Sequence, residues 1–435
     1  MKITNRITAI MLVLLCALGW FVQIESTKKK HDTLVQNLED ARNLRDKHLY
    51  QMAVTSYKAA LSCKENDSVR SEMLECMLQS VEDGTTTQKD YIKELKESCT
   101  IDPQNVTYWE LLIGAYVDEN NYAEAHNELR KAEHAEITSQ KLDELRIYVN
   151  YSNYIGSTVY EEYIASPYGF TAVKRSVGWG SLLANGEEGK DCIYSYVSPF
   201  NREGTAIYVL GETRLIDTKG VVRAILPMQI EEARAFSDGC LPVKIDGRWA
   251  LYHCDTGEIG NSYESVSAVV DGMVAIRQNG EWSLVNIQTG GTEAMPLEDI
   301  KLLPNGEYCY GGVMVAKRNG AYGLYSNKGE LIAETDAVDM EPCWGDWIAW
   351  KSKDGKWGFV DQKGEVTIAP QYDEARSFSG GLAAVKIGDL WGFIDKEGIV
   401  VIRCEFKDAG YFTEKGVCMV SFYQGSYQLL IRRYP

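Results

Sequence analysis

Five histidines (His31, His48, His126, His134 and His253) and eleven cysteines are the residues of this 435-residue chain best suited to nucleophilic or metal chemistry. Neither set is arranged for it. No histidine stands with a serine, cysteine or aspartate in a recognisable nucleophile pattern, and the chain holds no HExxH and no GxxxxGK[ST] phosphate loop. The cysteines (Cys16, Cys63, Cys76, Cys99, Cys192, Cys240, Cys254, Cys309, Cys343, Cys404 and Cys418) are scattered singly, without a CxxC pair or a histidine at ligand spacing. Neither a zinc site nor a disulfide framework follows. No cofactor and no metal is expected, and the chain reads as non-enzymatic. So many lone thiols suit a reducing or anaerobic setting. Cys240 and Cys418 fall at apolar strand positions, where a thiol acts as a small hydrophobe.

The turns DTKG, DQKG and DKEG, opened by Asp217, Asp361 and Asp395, superficially suggest calcium. A calcium loop needs several more carboxylates converging on one point. Asp opening a turn and Gly closing it with positive φ is instead the chemistry of a short hairpin loop. The remaining carboxylates are spread evenly and single out no acid-base pair. Their sum is informative: a net charge of -17 repels a phosphate backbone, so nucleic acid is excluded as a partner. The composition, 45% apolar and 25% charged, is that of a folded globular protein.

Residues 7–24, ITAIMLVLLCALGWFVQI, form an uncharged run just long enough to cross a bilayer as a helix. Lys2 and Arg6 precede it, and Lys28, Lys29 and Lys30 follow as a membrane flank. No small-x-small cleavage site follows, so the reading is an uncleaved single-pass anchor over a cleaved signal peptide. The very short N-tail favours its staying in the cytoplasm, with the bulk of the chain outside the membrane.

Beyond the anchor, apolar residues recur at three- and four-residue spacing until about residue 156. In TYWELLIGAYVDENNYAEAHNELRKAEHAE, Trp109, Leu112 and Tyr116 share one helix face. Asn120 and Asn121 break the helix, and Ala125, Leu129 and Ala132 line a second. Small residues at the crossing let two helices approach while large ones fill the groove. This spacing resembles the tetratricopeptide repeat. Counting back in steps of 34 suggests two earlier units, carried by Tyr91, Leu95 and Ser98 and by Ala53, Tyr57 and Ala60, with a capping helix over 139–156. The resemblance implies a shallow peptide groove with Glu110 and Asp118 on its inner face. On the residues alone, both read as solvated charges on an ordinary helix.

The C-terminal part is periodic. Trp179, Thr213, Trp249, Trp282, Tyr322, Trp357, Trp391 and Tyr427 recur at intervals of 34, 36, 33, 40, 35, 34 and 36 residues. A glycine follows each of the first seven after seven or eight residues (Gly186, Gly220, Gly257, Gly290, Gly329, Gly364 and Gly398). Short β-branched runs punctuated by such turns are repeated hairpins. The pairs Trp179-Gly180, Trp357-Gly358 and Trp391-Gly392 resemble the WG-repeat family over residues 160 to 435; elsewhere the pair degrades to Trp249-Ala250, Trp282-Ser283 and Tyr322-Gly323. The resemblance implies a non-enzymatic β-repeat module.

The segment Tyr160-Glu161-Glu162 matches Tyr372-Asp373-Glu374, so the domain begins with part of the piece its end lacks. Mutual completion of that kind seals a ring. The expected fold class is therefore α+β multidomain: an anchor (residues 1–27), a tetratricopeptide-like helical solenoid (28–156) and an all-β repeat domain (157–435). A β-propeller of seven or eight blades is preferred over an open β-solenoid, although 35 residues are few for a four-stranded blade. In PCWGDWIAWK, Trp347 and Trp350 take core positions and Trp344 falls at a turn. Trp344 either packs over a neighbouring blade or offers a stacking platform for a sugar ring. Two functions follow: a membrane-anchored scaffold for protein or peptide partners, or an envelope protein binding cell-wall glycan through Trp344.

Overall fold

The computed structural model describes residues 2–292 and 297–434, the side chains of residues 2–19, 21, 22 and 24 excepted. The chain divides into two compact units, Met1–Asn150 and Tyr151–Pro435.

The first unit is helical: α1 (Lys2–Asp46), α2 (Tyr50–Cys63), α3 (Asp67–Glu82), α4 (Gln88–Ile101), α5 (Val106–Asp118), α6 (Tyr122–His134) and α7 (Gln140–Asn150). Local signals set the boundaries. The side chains of Asn66, Thr87 and Asn121 accept from Val69, Asp90 and Glu124 N–H at the starts of α3, α4 and α6. Between α5 and α6 the two asparagines divide the work: Asn120 takes a left-handed φ of 56° and Asn121 caps the next helix. The three positions expected on each second helix are buried: Ala53, Tyr57 and Ala60 on α2, Tyr91, Leu95 and Ser98 on α4, and Ala125, Leu129 and Ala132 on α6. A partly buried ionic cluster links the helices. Arg70 of α3, 4% exposed, contacts Glu65 at 2.7 Å and Glu94 of α4 at 3.2 Å, while Lys58 of α2 reaches Glu94 at 2.6 Å.

The anchor expected at 7–24 lies in the first half of α1, on residues whose side chains are almost all outside those described. Among the described residues, no helix is long and apolar enough to cross a membrane. The capping helix ends earlier than expected. Residues 153–155, placed in the helical region by their position, form a strand of the second unit, because their backbone satisfies itself against Leu430–Arg432.

The second unit is an eight-bladed β-propeller. Its repeating blade is seen clearly in blade 7, with strands Glu374–Ala375, Ala383–Ile387, Leu390–Ile394 and Val400–Phe406 paired in sequence order and antiparallel. Thirty-five residues suffice because the first strand has only two residues in seven of the eight blades. Blade 4 shows three strands among the described residues, with bridges Val285↔Thr292 and Trp282↔Leu297 marking the outer position. Blade 2, where Thr213 replaces the aromatic anchor, is complete with four strands. Eight apolar clusters, each shared by two neighbouring blades, form the core. The last of them joins Tyr160, Val173 and Leu182 of the beginning to Val417, Met419 and Leu429 of the end, and so closes the ring. The open solenoid is thereby excluded. Strand Asn153–Ile155 supplies the fourth strand of blade 8.

The Trp-Gly pair has a steric cause. A Cβ on Gly180, Gly358 or Gly392 would sit 2.5, 2.5 or 2.6 Å from the carbonyl oxygen of Lys190, Ile368 or Ile402 on the outer strand. The pairing register shifts at each of these glycines. In blade 3, Ala250 pairs regularly with Ser262 and the irregularity moves on toward Tyr252, which is how a methyl group is accommodated there. The turn glycines that follow the anchors all have positive φ, between 69° and 84°.

Candidate functional site

A concave surface of the helical unit gathers α3, α4, α5 and α7 around a groove of about 500 Å³. Glu110 and Asp118, eight residues apart on α5, both line it, so the two positions named from the sequence come together. Between them Gly114 contributes no side chain, and a Cβ there would meet no atom within 4 Å. That glycine is what leaves the groove open.

One oxygen of Glu110 accepts from Ser139 Oγ at 2.6 Å, and the same Ser139 oxygen accepts from Leu142 N–H in the first turn of α7. Glu110 therefore also positions α7. Across the groove stand Lys141, Glu144 and Tyr148, the last 56% exposed. Three carboxylates face one ammonium group, giving the groove a net negative wall. Its floor includes Tyr91, 2% exposed, whose buried hydroxyl has no hydrogen-bond partner among the described residues. Burial pushes this phenol up to about 12. The residues of α7 were not legible as part of the groove, since their helical spacing indicated only a cap.

The second convergence lies at the propeller axis. In blade 5, twelve residues separate the first strand, ending at Ile300, from the second, beginning at Val313, against five (Ala165 to Thr171) to eight (Val197 to Ala206) in the other blades. This insertion explains the forty-residue interval between Trp282 and Tyr322. It extends across the ring: Asn305 Nδ2 donates to Phe200 O of blade 2, Asn305 O accepts from Ala235 N–H of blade 3, and Gly306 O accepts from Ala268 N–H of blade 4. Tyr168 of blade 1 donates to Glu307 Oε2 at 2.8 Å. Burial pushes the Glu307 carboxyl up to about 7, against the opposing pull of hydrogen bonds with Tyr168 and Asn305 and of the Arg202 charge. A cavity of about 430 Å³ opens beside it.

Trp344 is not an exposed platform. It is 3% exposed and stacks on Tyr411 at 3.8 Å with the rings parallel to 1°, while Tyr411 donates to Glu341 at 2.7 Å. The turn carrying it folds inward toward blade 8, so the indole face that a sugar would need is occupied by a phenol. Trp350 is buried, as its strand position implied, and Trp347 packs edge-on against Phe378.

The Asp turns are built as hairpin loops. The Oδ1 atoms of Asp217, Asp361 and Asp395 each accept two backbone N–H groups of their own turn. One thiol-imidazole contact escaped sequence reading: Cys240 and His253, paired across two strands of blade 3, approach to 3.4 Å between Sγ and Nδ1. Burial pushes the Cys240 thiol up to about 11, the opposite of what an activated nucleophile needs.

The family model described as "WG containing repeat" matches residues 214–249, 357–391 and 391–422. Two of these stretches run from one anchor to the next, so the sequence repeat straddles two blades. No curated protein matches the chain. Among solved structures, Hsv2p of Kluyveromyces lactis is similar at 10% identity, over 54% of this chain and 92% of that one, with a TM-score of 0.36. PorZ, a surface component of the type-IX secretion system of Porphyromonas gingivalis, is 10% identical over 64% of this chain and 38% of its own, with a TM-score of 0.31. The Sgt2 tetratricopeptide domain of Aspergillus fumigatus is 18% identical over 27% of this chain and 76% of its own, with a TM-score of 0.22.

Proposed function

We propose that the chain is a membrane-anchored, non-enzymatic scaffold whose tetratricopeptide-like helices hold a partner's peptide segment and whose WG-repeat propeller offers a second interaction face. The observation that carries this reading is the groove in which Glu110, Gly114 and Asp118 of α5 face α7. A bound peptide would lie against Tyr91 and Tyr148 and meet mostly carboxylates. The preferred segment is therefore extended and basic, with Lys or Arg facing Asp118 and Glu110. The tether rests on the uncharged run at 7–24, on the lysines that follow it, and on Trp20, 71% exposed within α1. We further propose that the bulk of the chain lies outside the cytoplasm.

A peptide array probed with the full-length chain tests the groove. Basic peptides are retained, acidic peptides of the same length are not, and Asp118→Lys, which leaves the wall neutral, abolishes the preference. Retention unchanged by Asp118→Lys would remove the groove from the account. Membrane fractionation after deletion of residues 7–24 tests the tether, with release into the soluble fraction as the expected result. The alternative of glycan binding through Trp344 is disfavoured by the ring stacked on it.

A further inference from the structure

We infer that the axial cavity of the propeller is a binding site for a small organic cation carrying a primary ammonium group, which Glu307 receives beside the rings of Tyr168 and Tyr310. The inference is independent of the helical groove and survives or fails without it.

The cavity is built from equivalent loops of five successive blades, so it is a product of ring closure and not a surface irregularity. Its wall carries a carboxyl that is 6% exposed and, among the described residues, has no Lys, Arg or His nitrogen within ion-pair distance. The carboxyl accepts from the Tyr168 hydroxyl and interacts with Asn305, while the Glu307 backbone N–H donates to Asn305 Oδ1. Burying a carboxylate without a counter-charge costs several kcal/mol in general, and native structures leave such a group only where something else compensates it. Asp238 and Asp271 add negative charge to the same wall, although each already accepts one hydrogen bond, from Gly272 N–H and Asn327 Nδ2. Arg202 is the one cationic side chain on the wall.

Tyr168 and Tyr310, with ring centroids 5.9 Å apart, supply aromatic faces that favour an alkylammonium over a hydrated metal ion. No group of three potential metal ligands exists among the described residues, in keeping with an organic cation. A volume of about 430 Å³ is ample for a short diamine.

The charged and titratable groups around Glu307 are Tyr168, Arg202, Glu203, Asp238, Asp271, Cys309 and Tyr310. Of these, Tyr168, Cys309 and Tyr310 are pushed up by burial and stay neutral between pH 6 and 8. Glu307 titrates in this window, with its carboxyl near 7 when the cavity is empty.

Isothermal titration of the full-length chain with cadaverine tests the site. Binding is expected at pH 8 and weakens roughly tenfold at pH 6, where Glu307 must first lose its proton. Glu307→Gln keeps the acceptor for Tyr168, weakens binding roughly tenfold at pH 8 and abolishes the pH dependence. Arg202→Ala, at an exposed position, removes a competing charge and strengthens binding severalfold. Absence of heat from millimolar cadaverine at pH 8, or equal binding by wild type and Glu307→Gln, would overturn the inference.

Discussion

Tyr160 and Tyr427 exchange two backbone hydrogen bonds of 2.8 Å, joining the start of blade 1 to the last strand of the chain. The same pairing recurs within blades, where the aromatic ending the outer strand meets the anchor: Tyr194 with Trp179, Tyr372 with Trp357 and Phe406 with Trp391. The seam is therefore an ordinary blade contact supplied by a distant part of the chain.

Because Tyr160 is 2% exposed within the seam cluster, Tyr160→Ala should cost about 3 kcal/mol, the usual loss for a large buried aromatic. Tyr154→Ala, six residues earlier at a side chain 46% exposed, should cost well under half as much. Urea denaturation of both variants measures the difference, and equal losses would mean that the seam is not a packed interface.

The Trp-Gly glycine yields a contrast between blades. Gly392→Ala forces a methyl group against Ile402 O and should destabilise by about 2 kcal/mol or more. Ala250→Gly, where the chain already accepts a side chain, should lose less than about 1 kcal/mol. Thermal melts of the two variants decide whether the motif is steric in origin.

Glu307 gives the propeller a pH signature. Its folded carboxyl titrates near 7 against an ordinary value of 4.5, so the fold favours the protonated form. Its contribution is fully present below the ordinary value and is lost as pH rises through 7. Glu307→Gln stays neutral throughout. The stability difference, variant over wild type, should grow from near zero at pH 4.5 to on the order of 3 kcal/mol at pH 8. Denaturant midpoints across this range measure it, and a flat difference would contradict the burial of an uncompensated carboxyl.

Much of the propeller was legible because its blades repeat one steric problem. The indole anchors, the turn glycines and the Asp-opened turns all occupy the places their spacing implied, and the match of Tyr160 to Tyr372 foretold the seam. The inserted loop at 301–312 was visible only as a lengthened interval, since nothing local says that Asn305 and Glu307 cross to blades 1 to 3. The choice between packing and platform for Trp344 stayed open in the sequence because its cover, Tyr411, lies two blades away in a region with no sequence link to it. In the helical unit, Glu110 and Asp118 could be placed on one face by helical period. The opposing wall of Lys141, Glu144 and Tyr148 depends on how α7 folds back, which no periodicity records.

Gly114 separates folding from binding. Gly114→Leu adds a good helix former where no atom lies within 4 Å, so stability should hold or rise by up to about 1 kcal/mol. The added side chain fills the groove. Peptide affinity should fall at least tenfold while the melting temperature does not drop; a drop in both would show that the site is a packing surface.

The most direct measurement is the binding isotherm of a fluorescent Lys/Arg-rich peptide on the full-length chain, compared with Asp118→Lys and Gly114→Leu at low and high salt. The account requires saturable binding that weakens with salt and is lost in both variants. Binding that is insensitive to salt and to both substitutions would contradict it.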